Sequence, residues 1–148
     1  MRVEEHEWAL LAALRERFLG SRGGKTADYW EDARLCELYD ATFAQRIAWK
    51  WRAVWNELAL RDRLPRARRV LDWGCGSGIA AREFSAAVRA AGDDAPIHFH
   101  LWDRSAAARD LAATKLAEQD ASAVTVRALP SPDADIDLLL VSHVLGEL

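Results

Sequence analysis

Three glycines at alternate positions, Gly74, Gly76 and Gly78, stand directly behind an acid, Asp72, in the stretch V-L-D-W-G-C-G-S-G over residues 70–78. Val70 and Leu71 are apolar and β-favouring, so they read as the end of a buried strand that Asp72 closes. The residues that follow are too rich in glycine for a helix interior. Residues 79–84, I-A-A-R-E-F, then take up the spacing of an amphipathic helix. A strand, a glycine loop and a helix in that order let backbone approach a ligand closely. The new helix aims free N–H groups and its positive dipole end at the same place. The plain alternative is a glycine-rich turn that holds nothing.

A second acid, Asp103, ends the apolar run I-H-F-H-L-W at 97–102, a further strand. An acid at that strand end, at that distance from a glycine loop, is where nucleotide-binding folds grip ribose hydroxyls, because one carboxylate matches two hydroxyl donors. The neighbouring Trp102 could cover a base or pack in the core. The dinucleotide fingerprint G-x-G-x-x-G fails, since Ile79 stands where its third glycine belongs, which disfavours a nicotinamide oxidoreductase. His98 and His100 alternate with apolar residues and share one strand face. Metal binding would require a third ligand, and no cluster in the sequence supplies one, so both are read as structural and no metal site is expected.

The elements that must position these groups can be read from periodicity. Residues 3–18 form a helix with Trp8, Leu11, Ala12, Arg15 and Leu19 on one face and Leu10 and Leu14 flanking it. G-S-R-G-G-K at 20–25 breaks it. Thr26 or Asp28 can cap a second helical stretch whose apolar side carries Tyr29, Trp30, Ala33, Leu35, Leu38 and Tyr39, ending near Asp40. A longer helix over 43–60 carries the stripe Phe43, Ile47, Trp51, Val54, Trp55 and Leu58. Trp49 falls off that stripe beside Arg46, Lys50 and Arg52; it either packs on a neighbouring element, the commoner case, or stacks on a nucleobase. After Pro65 come a strand over 68–73, a helix over 79–91 and the strand over 97–102. A helix over 105–119 follows with Ser105 as N-cap, then a short strand over 124–128. Leu138-Leu139-Leu140-Val141 is a fourth strand, apolar throughout and expected to be buried on both faces.

The chain has 148 residues and a net charge of −3, with 51% of residues hydrophobic. That is one domain's worth of globular sequence, with no bias toward a polyanionic or polycationic partner. Arg61, Arg63, Arg66, Arg68 and Arg69 cluster ahead of the first strand with only Asp62 against them. Such a cluster can meet phosphates, or it can be a solvated connector. Cys36 and Cys75 fit no metal spacing; Cys75, within the loop, is either an exposed thiol or simply a small residue, and a reducing cytoplasm is the default location. The opening M-R-V-E-E-H-E-W is too acidic for a targeting peptide, and no apolar run approaches membrane-spanning length.

The pattern Asp72-x-Gly74-x-Gly76-x-Gly78 resembles motif I of the class I S-adenosylmethionine-dependent methyltransferases. That resemblance implies that Asp72 and the loop backbone hold the methionine end of S-adenosyl-L-methionine and that Asp103 is the motif II acid. The chemistry suits it: an ammonium requires an acceptor, and a carboxylate requires N–H donors. These enzymes often place an acid or amide after the third strand for the adenine amino group; Ala128-Leu129-Pro130 departs from that pattern. Ser142 and His143 end the fourth strand, where a methyl acceptor approaches in that family. His143 is a candidate to orient or deprotonate an acceptor, or it is a plain helix-start residue. More narrowly, L-D-W-G-C-G-S-G and L-W-D-R-S, with the preceding D-Y-W and F-A-Q-R-I-A-W-K-W and the closing S-H-V-L-G-E-L, resemble the bacterial branch of the methyltransferase-like proteins associated with the mitochondrial small ribosomal subunit.

The resemblance implies an α/β, Rossmann-like class I methyltransferase fold. Residues 1–64 form a helical segment, and residues 65–148 form the N-terminal part of the cofactor domain, a partial parallel sheet in the order 3-2-1-4. Members of that family are longer. They complete a seven-stranded sheet and add an iron–sulfur segment, so the chain reads as truncated, with its fourth strand an open edge, or else a partner completes the sheet. The implied partner is the small ribosomal subunit or its RNA. The implied function is methyl transfer or, alternatively, that of a non-catalytic cofactor-binding assembly factor.

Overall fold

The computed structural model describes residues 4–20 and 33–142, the side chains of 17–20 excepted. In chain order these residues form helices α1 (Glu5–Gly20), α2 (Ala33–Ala41) and α3 (Phe43–Leu60), strand β1 (Arg69–Trp73), helix α4 (Ile79–Ala90), strand β2 (Ile97–Trp102), helix α5 (Ala106–Gln119) and strands β3 (Ala123–Val126) and β4 (Leu138–Val141). The strands make one sheet, β3-β2-β1-β4, parallel throughout. This is an α/β, Rossmann-like arrangement, as expected. β4 lies at one edge.

Side-chain alternation divides the sheet into two unlike faces. Register places Val70 beside Phe99 and Leu138, and Asp72 beside Leu101 and Leu140. Val70, Ile97, Phe99, Leu101 and Leu140 join Phe84 and Val88 of α4 and Ala112, Ala113 and Leu116 of α5 in one buried core. The opposite face carries Leu71, Trp73, His98, His100, Trp102, Val124, Val126, Leu139 and Val141, and among the described residues no helix covers it. Handedness accounts for this. The steps β1-α4-β2 and β2-α5-β3 move across the sheet in the same direction, so right-handed crossovers put both helices on one side. The link from β3 to β4 crosses back without a helix. The expectation that β4 is buried on both faces is therefore corrected: Leu140 is 1% exposed and Leu139 is 51% exposed.

The N-terminal helices close over the covered side. Trp55 of α3 sits in the main core, stacked on Trp51 and tilted against Phe84, with ring centroids 5.2 Å apart in each pair. Arg52 of α3 holds Glu83 of α4 through two bonds of 3.0 and 2.6 Å. Arg82 of α4 pairs with Asp40 of α2. Two expected stripes are adjusted. On α1 the buried apolar residues with described side chains are Leu11 and Leu14, Leu14 packing with Leu35, Cys36 and Ala108, while Trp8 and Ala12 face outward. On α3 the closest packing is made by Ala44 and Ala48, whose small side chains let Ile79 approach, and Val54 is exposed. Trp49, the residue off that stripe, is 64% exposed among the described residues. The expected caps Thr26 and Asp28, with Tyr29 and Trp30, lie outside the described residues.

Acids fasten the sheet's periphery. Asp137 accepts from the backbone N–H groups of Arg68 and Arg69 at 2.9 and 2.8 Å, fixing the entry of β4 beside that of β1. Asp120, just before β3, accepts from the Ser85 hydroxyl at 2.5 Å and from Arg89 at 3.0 Å, joining α4 to the end of α5. Burial pushes the Asp120 carboxyl upward, but hydrogen bonds from Ser122, Ser85 and Arg89 outweigh it and bring the pKa down to about 2.

Two outcomes are expected in denaturation experiments. Leu140→Ala should cost about 2–5 kcal/mol by removing a core side chain, whereas Leu139→Ala, one residue away on the open face, should cost less than about 1 kcal/mol. Equal costs would mean that the sheet is covered on both sides. For Asp120 the folded pKa lies below the unfolded one. Its stabilisation, about 2 kcal/mol, is therefore present above about pH 4 and lost as pH falls through about 2. Acid titration of stability should be correspondingly flatter in Asp120→Asn.

Candidate functional site

The C-terminal ends of β1 and β2 are adjacent, Trp73 beside Trp102, their rings edge to face at 5.8 Å. The glycine loop begins there. The N–H groups of Gly74 and Cys75 both donate to the Trp102 carbonyl, at 2.8 and 2.9 Å, so the loop is tied down where β2 ends. The N–H of Gly78 closes the turn onto the carbonyl of Cys75 at 2.7 Å. Gly74, Gly76 and Gly78 have φ of 69°, 52° and 75°, a left-handed backbone that costs other residues about 1–2 kcal/mol each.

The glycines differ in what surrounds them. A Cβ on Gly76 would meet nothing within 4 Å, so that glycine borders open space. A Cβ on Gly78 would lie 2.9 Å from the Cβ of Ala112 and 3.1 Å from its Cα, so Gly78 is there to let α5 approach the loop. Only the first environment suits a ligand.

The two acids hold the loop from different sides. Asp103 lies just past β2 and accepts from the N–H of Gly76 through Oδ2 and from the N–H of Ser105 through Oδ1, both at 3.0 Å. The second contact is an Asx turn, and D-R-S was its signal in the sequence. Ser105 is the N-cap of α5, as expected, its Oγ accepting from the N–H of Ala108 at 3.3 Å. Arg109, one turn into α5, donates to the Asp103 carbonyl. Asp103 is thus fixed at the mouth of the loop, and a carboxylate has acceptor capacity for about four hydrogen bonds.

Asp72 is placed differently. It is fully buried, and its Oδ2 accepts from the N–H of Ala81 at 3.2 Å. Ala81 is the third residue of α4, the position an N-cap side chain normally serves. The cap residue itself is Gly78, which has no side chain, so Asp72 caps α4 from the neighbouring strand. Its Oδ1 and the buried Ser77 hydroxyl have no hydrogen-bond partner among the described residues. Burial pushes the Asp72 carboxyl up to about 7, and repulsion from Asp103 adds to this. The dipole of α4 opposes the shift. A helix terminus contributes up to about 2 kcal/mol, and stripping a carboxylate of water costs several, so burial prevails. Burial likewise raises the Cys75 thiol, with Asp72 and Asp103 adding to the effect. Cys75 is 5% exposed and is a packing residue, not an exposed nucleophile.

Other candidates resolve as follows. His143 lies outside the described residues. Just before it, Ser142 accepts from the Trp51 indole N–H at 3.1 Å. A groove of about 210 Å³ lies there between α3 and the end of β4, lined by Ile47, Lys50, Trp51, Val54, Val141 and Ser142. Among the described residues no metal-ligating cluster exists, and no helix is long and apolar enough to cross a membrane. The arginine cluster is largely paired internally: Arg61 with Glu57, Arg68 with Asp93, and Arg69 with Asp135 and Asp137.

Gly78→Ala should destabilise the fold by about 2–4 kcal/mol, combining left-handed strain with overlap against Ala112. Gly76→Ala should cost only the backbone part, about 1–2 kcal/mol. Urea unfolding of the pair decides whether the loop lies against α5 in this way.

No family model matches the chain, and no curated protein matches it. Among solved structures it is similar to two proteins from Burkholderia thailandensis. One is an uncharacterized ACR, COG1565 superfamily protein, 22% identical, with a TM-score of 0.49. The other is a COG1565 superfamily member, a methyl transferase candidate, bound to S-adenosyl-homocysteine, 20% identical, with a TM-score of 0.46. Each match covers 94% of this chain, and the chain spans 39% and 41% of their respective lengths.

Proposed function

We propose that the chain binds S-adenosyl-L-methionine at the glycine loop and forms the cofactor-holding part of a methyltransferase. One observation carries this reading. Gly76 borders open space with its backbone turned left-handed, and its N–H is held by the acid at the end of the adjacent strand. That puts backbone polar groups and a carboxylate at one sheet end, beside the start of α4. A nucleoside with an amino-acid tail requires both kinds of partner. The roles follow residue by residue. The Asp103 carboxylate takes the ribose hydroxyls. The backbone at Gly76 approaches the methionine portion, while Gly78 lets α5 close on the loop. Asp72 acts from beneath, holding the start of α4.

Methyl transfer depends mostly on a held cofactor, an aimed nucleophile and exclusion of water. The acceptor would approach past the end of β4, where the groove of Trp51 and Ser142 lies and where His143 follows in sequence. The finer reading, by the resemblance of motif and flanking segments, is action on the small ribosomal subunit or its RNA in a reducing cytoplasm. The exposed Trp49, beside Arg46 and Lys50, favours contact with RNA bases and phosphates over a purely structural role for that helix face. The alternative is a factor that keeps the cofactor site without catalysis. Transfer of a labelled methyl group to ribosomal subunits separates the two.

The binding claim is tested by titration calorimetry with S-adenosylmethionine. Asp103→Ala should weaken binding by about 1–3 kcal/mol, the scale of a charge-assisted hydrogen bond. Unchanged affinity would remove Asp103 from the site, and no binding by the wild type would remove the reading altogether.

A further inference from the structure

Asp72 combines three features that do not normally coexist in an ionised carboxylate. It has no exposure to solvent and, among the described residues, its Oδ1 has no hydrogen-bond partner and the carboxylate as a whole receives one N–H, from Ala81. Among the described residues no cation compensates it. β2 and β4 present Leu101 and Leu140 on either side, and the charged group facing it is Asp103, of the same sign. The loop contributes the neutral thiol of Cys75. On α4, Arg82 and Glu83 are engaged by Asp40 and Arg52. On α5, Arg109 is bound to the Asp103 carbonyl. A buried, unpaired carboxylate in such surroundings is stable only as the neutral acid.

The same acid is structurally central to the loop. It caps α4 in place of the side chain that Gly78 lacks, while Asp103 holds Gly76 from the other side. Ionising Asp72 would place a second negative charge beside Asp103 in a site closed to water. The relief available is for the loop to open and admit solvent to the carboxylate.

We propose that Asp72 is a proton switch for the glycine loop: as the neutral acid it holds residues 74–78 closed against β2 and α4, and its ionisation loosens them. The folded group keeps its proton to higher pH than the unfolded chain does. The closed loop is therefore favoured below neutrality and weakened as pH rises to the Asp72 midpoint. The consequence for a cofactor, tighter binding on the acid side of neutrality, rests on the function proposed above; the switch itself does not.

Two measurements on the full chain, neither requiring a ligand, test it. Carbon-13 carboxyl NMR of the wild type should show Asp72 titrating near pH 7; a midpoint in the ordinary aspartate range overturns the proposal. Amide hydrogen exchange, corrected for intrinsic rate, should show protection across residues 72–82 falling by up to roughly tenfold per pH unit as pH rises from the ordinary aspartate range to that midpoint and levelling off above it, while β3 is unchanged. Asp72→Asn, which keeps the shape and cannot ionise, should abolish that dependence. Protection in the wild type that does not change with pH, or the same dependence in Asp72→Asn, overturns the switch. If the variant does not fold, the wild-type titration and exchange still decide. Loss of the switch leaves the cofactor reading standing, and failure to bind cofactor leaves the switch standing.

Discussion

The bond from the N–H of Ala81 to the buried carboxyl of Asp72 is the constraint around which the candidate site is built. A helix that starts on glycine has no side chain to satisfy its first N–H groups. The strand preceding the loop supplies the missing cap, and in doing so it fixes how β1, the loop and α4 meet. Asp103 performs the complementary task from β2, holding Gly76 through its side chain, while the Trp102 carbonyl holds Gly74 and Cys75. Two acids of like charge at one sheet end would repel if both were ionised. Burial resolves this by suppressing the charge on Asp72.

The one-sided covering of the sheet follows from chain direction. Right-handed crossovers that move the same way place α4 and α5 together. α3 then packs on α4 through Trp55 and the Arg52–Glu83 pair. The face with Trp73, Trp102, Val124, Val126 and Leu139 has no such cover among the described residues. A parallel sheet is ordinarily buried on both sides. The apolar character of β4 therefore anticipates burial that the described residues provide only on the Leu138–Leu140 side.

Charge in this chain is used mainly to join elements. Arg68 and Arg69 sit in a basic run that could have met phosphates, yet Asp93, Asp135 and Asp137 occupy them. Asp137 goes further and binds backbone N–H groups at the start of β1, which fixes the register of β4 without any side chain from the core. Asp120 joins α4 to the end of α5 in the same manner. Exposed pairs such as Arg61–Glu57 contribute little by comparison, because water screens them.

The sequence by itself determined the elements from α3 onward, the loop, the Ser105 cap and the position of Asp103 at the end of β2. These rest on local rules: alternation for strands, spacing of three and four for helices, glycine where φ is positive, and a side-chain oxygen where a helix begins. The strand order 3-2-1-4 came from the resemblance to the methyltransferases that those local features supported. What only the tertiary structure decided are relations between residues distant in the chain. Leu139 and Leu140 are chemically alike, and only the placement of the helices makes one core and the other surface. Val54 and Trp55 both lie on the apolar stripe of one helix, and the approach of α4 buries just the second. Gly76 and Gly78 are indistinguishable in the motif, but the backbone of Ala112 meets only Gly78. Asp72 reads in sequence as a ligand-facing carboxylate; its role as a buried cap emerges only once α4 folds back over β1, because solvation belongs to the assembled structure and not to any residue alone.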